Sequence, residues 1–553
     1  MKMVKRMSKP FTKVVLFVLV IGLLAGCTVV KEPSQSSNTV VDTSNEKEEV
    51  LTFPLVEPVT LTYWVPLAAK SGKWIARYEE MGQYIELEKR TNVKISFIHP
   101  TAGQTKEQFN LMIASGEYPD IIDTNLSNYK GGPMNAIKQK VFMPLNDLMP
   151  KYTPNLSRLY ELYPEFGKLA KTDEGDYYHF PMIRALDTGL TFNGPFVRKD
   201  WLEDLGLEEP ETIDDWTIML KAFKDKKGAE APITMLLDVW TKSHSFVSAY
   251  GVGARWYQDD GVAKYGPYEP KYKGFVELFN KWFKEDLLDP DFAAQDLEAE
   301  KAKLISGVAG AGLSGNGTIA SSILAAMVQD PNTRYELKGV PYPVLNKGDK
   351  PRFGHKDSPM SALGAAITTQ CKNKEVAALY LDYAYGEEGN WLTEWGLEGI
   401  TYLISDDGRL MEFEDDAVQQ EAQQRFFRRV SSGPVMRGLL RGNEIIDMFD
   451  PSIYKAGEPT RASTNQKEAA KLWIATTDFS PVMPFVSYTD DESTRMATIM
   501  NDIQTHEGET FLKFVMGQRP LDQFDDYLNE LKKMNMEEAI SMQQAALDRY
   551  NSR

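Results

Sequence analysis

The sequence predicts an α/β protein whose folded body consists of two lobes with largely parallel sheets. Short apolar runs rich in β-branched and aromatic residues alternate with segments of helical periodicity, which is the pattern of a parallel sheet covered by helices. The body from Leu51 to Arg553 has 503 residues, more than one hydrophobic core usually holds. Because 42% of the residues are hydrophobic and 11% are aromatic, the composition suffices for two packed cores.

The first elements of the body follow this alternation. Leu61–Val65 is predicted as the opening strand, Tyr78–Arg90 as a helix and Val93–Phe97 as the second strand. A helix over Lys106–Ser115 then precedes a third strand at Tyr118–Ile122. This order is that of a doubly wound unit, in which ligands approach the carboxyl ends of the strands.

A later helix is marked by its first residues. Thr212 and Asp215 form a Thr-x-x-Asp capping box, which predicts that a helix begins at Ile213. Asp214 and Asp215 are interpreted as charges favoured by the helix dipole, not as a catalytic pair. Three tryptophans in helical patterns are predicted to lie in the core: Trp201, Trp216 and Trp282.

The amino terminus has the pattern of a secretion signal. A basic head precedes Val14–Leu24, 11 residues without a charge, which is too short to span a bilayer that needs about 20. The following Leu24-Ala25-Gly26-Cys27 resembles the lipobox of bacterial lipoproteins. Residues 1–26 are therefore expected to be a cleaved signal peptide, with a lipid on Cys27. An ordinary signal peptide or an N-terminal membrane anchor with a chance cysteine is the alternative.

Residues 27–50 are predicted to form a lipidated, flexible tether. They are rich in Ser, Thr, Asn, Glu and Lys and offer almost nothing to bury. The body is therefore expected outside the cytoplasm, attached to the membrane through the lipid. The second cysteine, Cys371, then has no intramolecular partner and is predicted to be a buried apolar residue, with a reactive thiol as the alternative.

Charge and metal-binding patterns exclude several functions. The net charge is −17, and loss of the five basic residues of the head lowers it to −22, which argues against a nucleic-acid partner. No zinc-binding spacing occurs, and no cofactor is predicted. The histidines are scattered: His99, His179, His244, His355 and His506.

An ordered set of motifs covers nearly the whole mature chain. The motifs are Ser115–Ile122, Arg198–Leu202 with Leu205–Leu207, Asn373–Ala377 leading to Leu381–Tyr383 and Glu387–Gly389, Gly396–Gly399 with Tyr402, Pro520–Tyr527, and Gln543–Tyr550. Together they resemble the extracellular solute-binding lipoproteins of bacterial ABC importers (family 1), specifically the large oligosaccharide-binding type. Each motif alone is weak, and the order of the set carries the resemblance.

The resemblance implies a two-lobe periplasmic-binding-protein-like fold (type II) with a ligand cleft between the lobes. Segments that cross between the lobes are expected near Met182–Thr191, near Val340–Leu345 and after the Gly396–Gly399 turn. Hinge closure on a ligand would then present a shape that a partner can recognise. The implied lobes are residues 51–185 with 345–405 (N-terminal lobe) and residues 186–344 with 406–553 (C-terminal lobe).

The implied function is a lipid-anchored receptor, expected to be a monomer. It would capture an oligosaccharide ligand by hinge closure and deliver it to the permease subunits of an ABC transporter. A secreted polysaccharide lyase or glycosidase is one alternative, since two carboxylates at about 5 to 10 Å suffice for hydrolysis, although no serine elbow or metal signature supports it. A surface sensor that presents its ligand to a receptor is the other.

Candidate ligand contacts follow from the chemistry of sugars, which offer apolar C–H faces and hydroxyl groups. Tryptophans in loop-like contexts are candidates for the faces, with core packing as the alternative for each: Trp64, Trp240, Trp256 and Trp395. Asp120 and Arg184 are candidates for the hydroxyl groups. Glu398 is a third, with an exposed structural turn as its alternative.

Three further features leave alternatives open. Gly310–Gly315 matches a dinucleotide fingerprint but also fits a turn after a strand, whose N–H groups would meet a hydroxyl or carboxylate. Many relatives carry a calcium loop where this chain has Lys224–Glu230, which lacks alternating oxygen ligands, so calcium is possible but not expected. A basic cluster is interpreted as a solvated helix face, or as a patch for an anionic sugar or the transporter: Arg425, Arg428, Arg429, Arg437 and Arg441.

Overall fold

The computed structural model describes most of the chain from Leu51 onwards. The described residues are 51–67, 75–184, 187–313, 334–394, 396–397, 399–400, 403–404, 410–411 and 461–553. The chain from Val50 to Arg553 forms one compact unit. The predicted signal peptide, Cys27 and the tether lie outside the described residues. Within the described ranges, no helix is both long and apolar enough to cross a membrane.

The strands of the described residues are short. In chain order they are β1 (Val59–Trp64), β2 (Val93–Ile98), β3 (Ile121–Asn125), β4 (Phe180–Ile183), β5 (Phe196–Arg198), β6 (Trp256–Asp259), β7 (Val262–Tyr265), β8 (Ala311–Gly312), β9 (Leu337–Gly339), β10 (Met360–Ile367), β11 (Leu403–Ile404) and β12 (Leu410–Met411).

Helices fill most of the remaining described sequence. In chain order they are α1 (Gly82–Thr91), α2 (Thr105–Ser115), α3 (Gly132–Lys138), α4 (Met149–Tyr152), α5 (Pro154–Leu162), α6 (Pro164–Leu169), α7 (Asp187–Leu190), α8 (Lys199–Leu205), α9 (Ile213–Lys227), α10 (Leu237–Ser243), α11 (Tyr272–Lys284), α12 (Leu297–Ser306), α13 (Lys374–Tyr383), α14 (Glu387–Glu394), α15 (Arg461–Thr476), α16 (Asp490–Val515), α17 (Phe524–Lys533) and α18 (Met536–Ser552).

The first sheet has five strands in the order β2-β1-β3-β10-β4. β1 pairs in parallel with β2 and β3, whereas β10 is antiparallel to both β3 and β4. Strands β1 to β4 therefore point the same way. Their carboxyl ends and the amino end of β10 lie at one edge of the sheet.

The second sheet is smaller, with the order β8-β5-β9. β5 is antiparallel to both neighbours, and Phe196 pairs with Gly312 on one side and with Gly339 on the other. The carboxyl ends of β8 and β9 and the amino end of β5 therefore share an edge of this sheet.

Two segments connect the sheets through these edges. Residues 184–195 lead from the end of β4 to the start of β5, and residues 340–359 lead from the end of β9 to the start of β10. We call them the first and second crossing segments. The second is considerably longer than Val340–Leu345, where the sequence placed it. The third predicted crossing falls largely outside the described residues.

Two large hydrophobic clusters form the cores, and each draws on two separated stretches of chain. One combines residues 61–183 with residues 360–392, and the other combines residues 197–340 with residues 496–539. In the latter, Trp216 and Trp282 are fully buried and each packs edge-on against Phe246. The predicted core positions of Trp216 and Trp282, and of Trp201 at 7% exposure, are confirmed.

The predicted opening elements are largely confirmed, with one shift. β1, β2 and α2 lie where the sequence placed them, and the predicted first helix begins with a 3-10 turn at Tyr78–Glu80. The third strand, however, starts at Ile121 instead of Tyr118. Pro119 has no N–H to donate to a ladder, so pairing begins after it.

The capping box is confirmed. Thr212 Oγ1 accepts a hydrogen bond from the Asp215 N–H (3.1 Å), and Asp215 Oδ2 accepts one from the Thr212 N–H (2.9 Å). The hydrogen bond from the Thr212 N–H holds the pKa of Asp215 below its usual value. Both partners thus satisfy donors that the first turn of α9 would otherwise leave unpaired.

Candidate functional site

The edges joined by the crossing segments form the candidate site, which we call the crossing edge. It comprises the carboxyl ends of β1 to β4, the amino end of β10 and the two crossing segments. Ligands of open α/β sheets bind outside the carboxyl ends of strands, and pockets favour the boundary between two packed bodies. The geometry of the sheets therefore points to this edge.

An ion pair lies at the end of β4. Arg184 is the first residue after the strand, and its N–H donates to the Pro359 carbonyl at 2.8 Å. Its Nη2 donates to Asp357 Oδ2 at 3.1 Å. The two side chains are 38% and 37% exposed. The pair thus links both crossing segments and remains accessible from outside.

The buried ring of His355 contacts the carboxylate of this pair. The ring is 3% exposed, its Nε2 lies 3.3 Å from Asp357 Oδ1, and its Nδ1 accepts from the Phe192 N–H at 3.3 Å. Because Nδ1 accepts, the ring proton belongs on Nε2, where it donates to Asp357. The half-buried Phe192 ring lies edge-on to the imidazole at 4.2 Å. His355 therefore holds the two crossing segments together.

Asp357 is fixed in place and ionised. Its N–H donates to the Leu190 carbonyl at 3.0 Å, so its backbone is held by the first crossing segment. Partial burial disfavours its charged form, but the hydrogen bond from His355 and the charge of Arg184 outweigh this and lower its pKa. The carboxylate is thus anionic at neutral pH.

Aromatic residues pack against the second crossing segment. Phe353 is buried, with Tyr257 edge-on at 5.1 Å and the His244 ring at 5.8 Å. Burial, followed by the proximity of His355, lowers the pKa of His244 to about 4, so this ring is neutral. Lys356 Nζ lies 5.4 Å from the centre of the half-buried Phe479 ring.

Two of the predicted tryptophans lie in the core. Trp64 ends β1 as expected but is 4% exposed, with the Phe109 ring at 6.0 Å. Trp240 is also 4% exposed and packs against the rings of Phe275 (5.0 Å) and Phe511 (5.4 Å), both nearly parallel to its own. Its Nε1 donates to the Ser245 carbonyl at 2.9 Å. Neither indole offers a free face, so the core alternative describes both.

Two further candidates for ligand contacts, Trp256 and Asp120, are less deeply buried than Trp64 and Trp240. Trp256 begins β6, is half-buried and lies 4.8 Å from the Tyr265 ring. Asp120 was predicted to lie within the third strand, at Tyr118–Ile122, but it precedes β3 and lies at the opposite end of that strand from the crossing edge. Its Oδ2 accepts from Thr62 N (2.8 Å) and Oγ1 (2.7 Å), which fastens β3 to β1.

Among the remaining candidate contacts, the basic cluster and Cys371, the structure describes only Cys371. Trp395, Glu398 and the arginine cluster from Arg425 to Arg441 lie outside the described residues. Cys371 is free and buried, as predicted, and burial raises its pKa to about 12, so its thiol stays protonated.

The structure adds residues that sequence reasoning missed at the crossing edge: Phe192, His355 and Asp357. His355 and Asp357 were missed because the second crossing segment was placed too early, and Phe192 was missed because the predicted first crossing ended at Thr191. A signal was present, since His355-Lys356-Asp357 lies between Gly354 and Pro359, and polar residues in such a connecting stretch are typical of binding loops.

The glycine motif proves to be a packing feature. Ala311–Gly312 forms β8, so the described part is a strand and not a phosphate-binding turn. A Cβ added at Gly310 would lie 2.5 Å from the Trp201 ring, and one at Gly312 would lie 2.6 Å from the Phe196 ring. These positions require glycine because aromatic rings fill the space beside them. Ser314 and Gly315 lie outside the described residues.

The segment Lys224–Glu230, where a calcium loop was weighed, contains lysine contacts. Lys227 Nζ donates to Asp204 Oδ2 at 2.7 Å, and Lys224 Nζ donates to the Glu285 carbonyl at 2.7 Å. Among the residues that the structure describes, no three His, Cys, Asp or Glu side chains are grouped so that they could hold a metal ion.

Comparisons with known proteins agree with this architecture. A family model for bacterial extracellular solute-binding proteins matches residues 47–391. The fructooligosaccharide ABC transporter substrate-binding protein FusA of Streptococcus pneumoniae is 26% identical over 577 residues, covering 98% of this chain and 99% of FusA. The lipoprotein LipO of Bacillus subtilis is 26% identical over 340 residues, covering 58% of this chain and 64% of LipO.

A solved structure shows the same fold. An extracellular solute-binding protein from Bifidobacterium longum subsp. infantis superimposes with a TM-score of 0.72 at 18% identity, covering 89% of this chain and 98% of that protein. The predicted α/β fold class is confirmed. The expectation of largely parallel sheets is wrong, because β5 and β10 each run antiparallel to both of their neighbours. Because the family model spans more than half of the sequence, the chain belongs to the bacterial extracellular solute-binding protein family.

Proposed function

We propose that this protein is the receptor of an ABC importer, which binds an oligosaccharide at the crossing edge and delivers it to permease subunits. The observation that carries the proposal is the Arg184–Asp357 pair, which lies where both crossing segments meet the carboxyl ends of the first sheet. Charged, planar groups beside an aromatic ring are the groups that recognise sugar hydroxyls and C–H faces. The kinship with a fructooligosaccharide-binding protein supports an oligosaccharide ligand.

Ligand capture is proposed to proceed by closure of two lobes around this site. We assign residues 51–185 and 345–405 to one lobe and residues 186–344 and 406–553 to the other. The two hydrophobic clusters, which divide the described chain at similar places, support this assignment. Closure requires only that the ligand binds the closed form better than the open form. The protein itself then acts as a monomer and performs no catalysis.

A thermal-unfolding screen of residues 50–553 tests the proposal. We expect a neutral oligosaccharide to stabilise the protein saturably, by about 1.4 kcal/mol at ten times its dissociation constant, and to be recovered intact. Mass spectrometry of the same samples checks for cleavage. Cleaved sugar would contradict a binding function and favour the lyase or glycosidase. Stabilisation by no oligosaccharide, neutral or acidic, would overturn the sugar ligand.

Membrane attachment is proposed to occur through a lipid on Cys27, after cleavage of residues 1–26. The lipobox-like sequence before Cys27 supports this proposal, as does the kinship with the lipoprotein LipO. Metabolic labelling with a palmitate analogue is expected to mark the wild-type chain and not the variant Cys27→Ala. Equal labelling of both chains would show that the lipid is attached to a residue other than Cys27. Cys371→Ala is the matched control and should label normally.

A further inference from the structure

We propose that the ligand of the crossing edge is an uncharged oligosaccharide, and that Asp357 determines this specificity by reserving Arg184 for hydroxyl groups. This inference rests on the proposed function, because it names the chemical class of the ligand that the same site binds. Its structural basis is that the accessible guanidinium of Arg184 is already paired with a carboxylate, that of Asp357.

The first step of the argument is that Asp357 cannot move away from Arg184 easily. Its Oδ2 accepts from Arg184 Nη2 at 3.1 Å, and its Oδ1 lies 3.3 Å from His355 Nε2. Its N–H is bound to the Leu190 carbonyl. Arg184 from the first crossing segment and His355 from the second therefore hold this carboxylate, and the Leu190 carbonyl of the first segment holds its backbone.

The second step concerns the arginine of the second crossing segment. Arg352 Nη2 donates to Asp259 Oδ1 at 3.0 Å, and its Nε lies 3.8 Å from Asp478 Oδ2. The hydrogen bond from Arg352 lowers the pKa of Asp259, so this carboxylate is also ionised. Arg352, like Arg184, thus already has an anionic partner, and the acidic protein as a whole adds no attraction for an anion.

The third step is that such an ion pair favours a sugar diol over a uronate carboxylate. A uronate carboxylate would have to displace Asp357 or lie beside it, and two carboxylates that share one guanidinium repel each other. A sugar diol avoids this cost, because one hydroxyl accepts from a remaining Arg184 N–H while the other donates to a lone pair of Asp357. The Phe192 ring, held against His355, supplies an apolar face for the C–H groups of the same sugar.

Calorimetric titration with two matched ligand sets tests the inference. The neutral set contains inulin-type, malto- and cello-oligosaccharides of three to six units, and the charged set contains oligogalacturonates and alginate oligomers of the same lengths. Wild-type protein (residues 50–553, which form one compact unit) is expected to bind a neutral ligand at least tenfold more tightly than any charged one. Tighter binding of a uronate would overturn the inference while leaving the proposed function standing.

The variant Asp357→Asn tests the role of the residue. It keeps the size of the side chain but frees the charge of Arg184, so we expect neutral affinity to fall about tenfold and uronate affinity to rise about tenfold. The rise in uronate affinity should disappear in the double variant Asp357→Asn, Arg184→Gln, because this rise requires the unpaired charge of Arg184. An unchanged ratio of neutral to charged affinity in Asp357→Asn would overturn the inference.

Two controls separate this role from a structural one. Glu538→Gln removes the charge of an exposed carboxylate that is bound twice by Arg495, and should leave the ratio unchanged. If Asp357→Asn does not fold, Arg184→Gln gives the second measurement, with weaker neutral binding and no uronate gain expected. Binding of neither ligand set by the wild-type protein would overturn the proposed function itself, and this inference with it.

Discussion

Replacing Asp173 by alanine is expected to lower the free energy of unfolding by about 3 kcal/mol. The carboxylate is 7% exposed and lies between Arg549 and Arg553 at the end of α18. It accepts from Arg549 Nε (2.9 Å), Arg553 Nε (2.9 Å) and Arg553 Nη2 (2.6 Å). The alanine leaves the 2%-exposed Arg553 side chain as an uncompensated buried charge, which costs about 3 to 5 kcal/mol.

The lower end of this range applies because Arg549 keeps a second partner. Its Nη2 donates to Glu492 Oε2 at 2.5 Å, and Glu492 in turn forms the capping box of α16 with Thr489. Asp173 precedes β4, whereas Arg553 directly follows α18. The variant therefore removes a contact between two distant stretches of the chain as well as an ion pair.

Urea unfolding followed by circular dichroism measures this effect. The matched control is Glu538→Ala, since Glu538 also receives two hydrogen bonds from one arginine, Arg495, but both side chains are 44% exposed. The control should lose much less stability than Asp173→Ala, because solvent screens an exposed pair. Equal losses in the two variants would show that burial of the Asp173 pair adds nothing.

Substituting Glu300 by glutamine is expected to flatten the decline in stability with rising pH. Glu300 in α12 is fully buried, and neither of its carboxyl oxygens has a hydrogen-bond partner among the residues that the structure describes. Burial, followed by the negative charges of Asp289 and Asp238, raises its pKa to about 8. The folded protein therefore holds this proton at neutral pH, whereas the unfolded chain releases it near pH 4.5.

The sign of the effect follows from this difference in proton binding. Between pH 4.5 and 8 the folded state binds one more proton than the unfolded state, so stability falls as pH rises. A contribution that is fully present below pH 4.5 is lost as pH rises through the folded pKa. Between pH 6 and 8 the wild type should lose about 2 kcal/mol more than Glu300→Gln, which has no proton to release.

Denaturant unfolding at pH 6, 7 and 8 tests this prediction. The cost of burying an amide does not depend on pH, so the slope is the readout and the absolute stability is not. Glu298→Gln serves as control, because Glu298 is exposed on the same helix and pairs with Lys301. Parallel pH profiles for the wild type and Glu300→Gln would mean that Glu300 is already ionised in the folded protein.

The elements that sequence reasoning located correctly are those defined by neighbouring residues. β1, β2 and α2 depend on local periodicity, and the start of α9 depends on two residues three positions apart. The third strand was misplaced because the same run of residues, Tyr118–Ile122, contains both Pro119 and the true start of pairing at Ile121. Which residue first pairs depends on the partner strand, which the local pattern does not contain.

The candidate site was predicted much less completely than the fold. Arg184 was identified from its place near a crossing, but its partner Asp357 lies 173 residues away along the chain. Trp64 and Trp240 appeared equally suited to a ligand, since their exposure depends on Phe109, Phe275 and Phe511, which are distant in sequence. The sequence shows where a tryptophan lies in the chain, but it does not show which residues pack against its ring.

The amino-acid sequence alone predicts the α/β class, the order of the opening elements, the first turn of α9 and the kinship with solute-binding proteins. Hydrophobic periodicity, capping and ordered motifs are properties of residues close together in the chain. The pairing of charges and the enclosure of aromatic rings emerge only on folding, as Arg184 with Asp357 and Asp173 with Arg553 show. Burial and ion pairing arise when distant segments meet and exclude water, and that physical condition exists only in the folded chain.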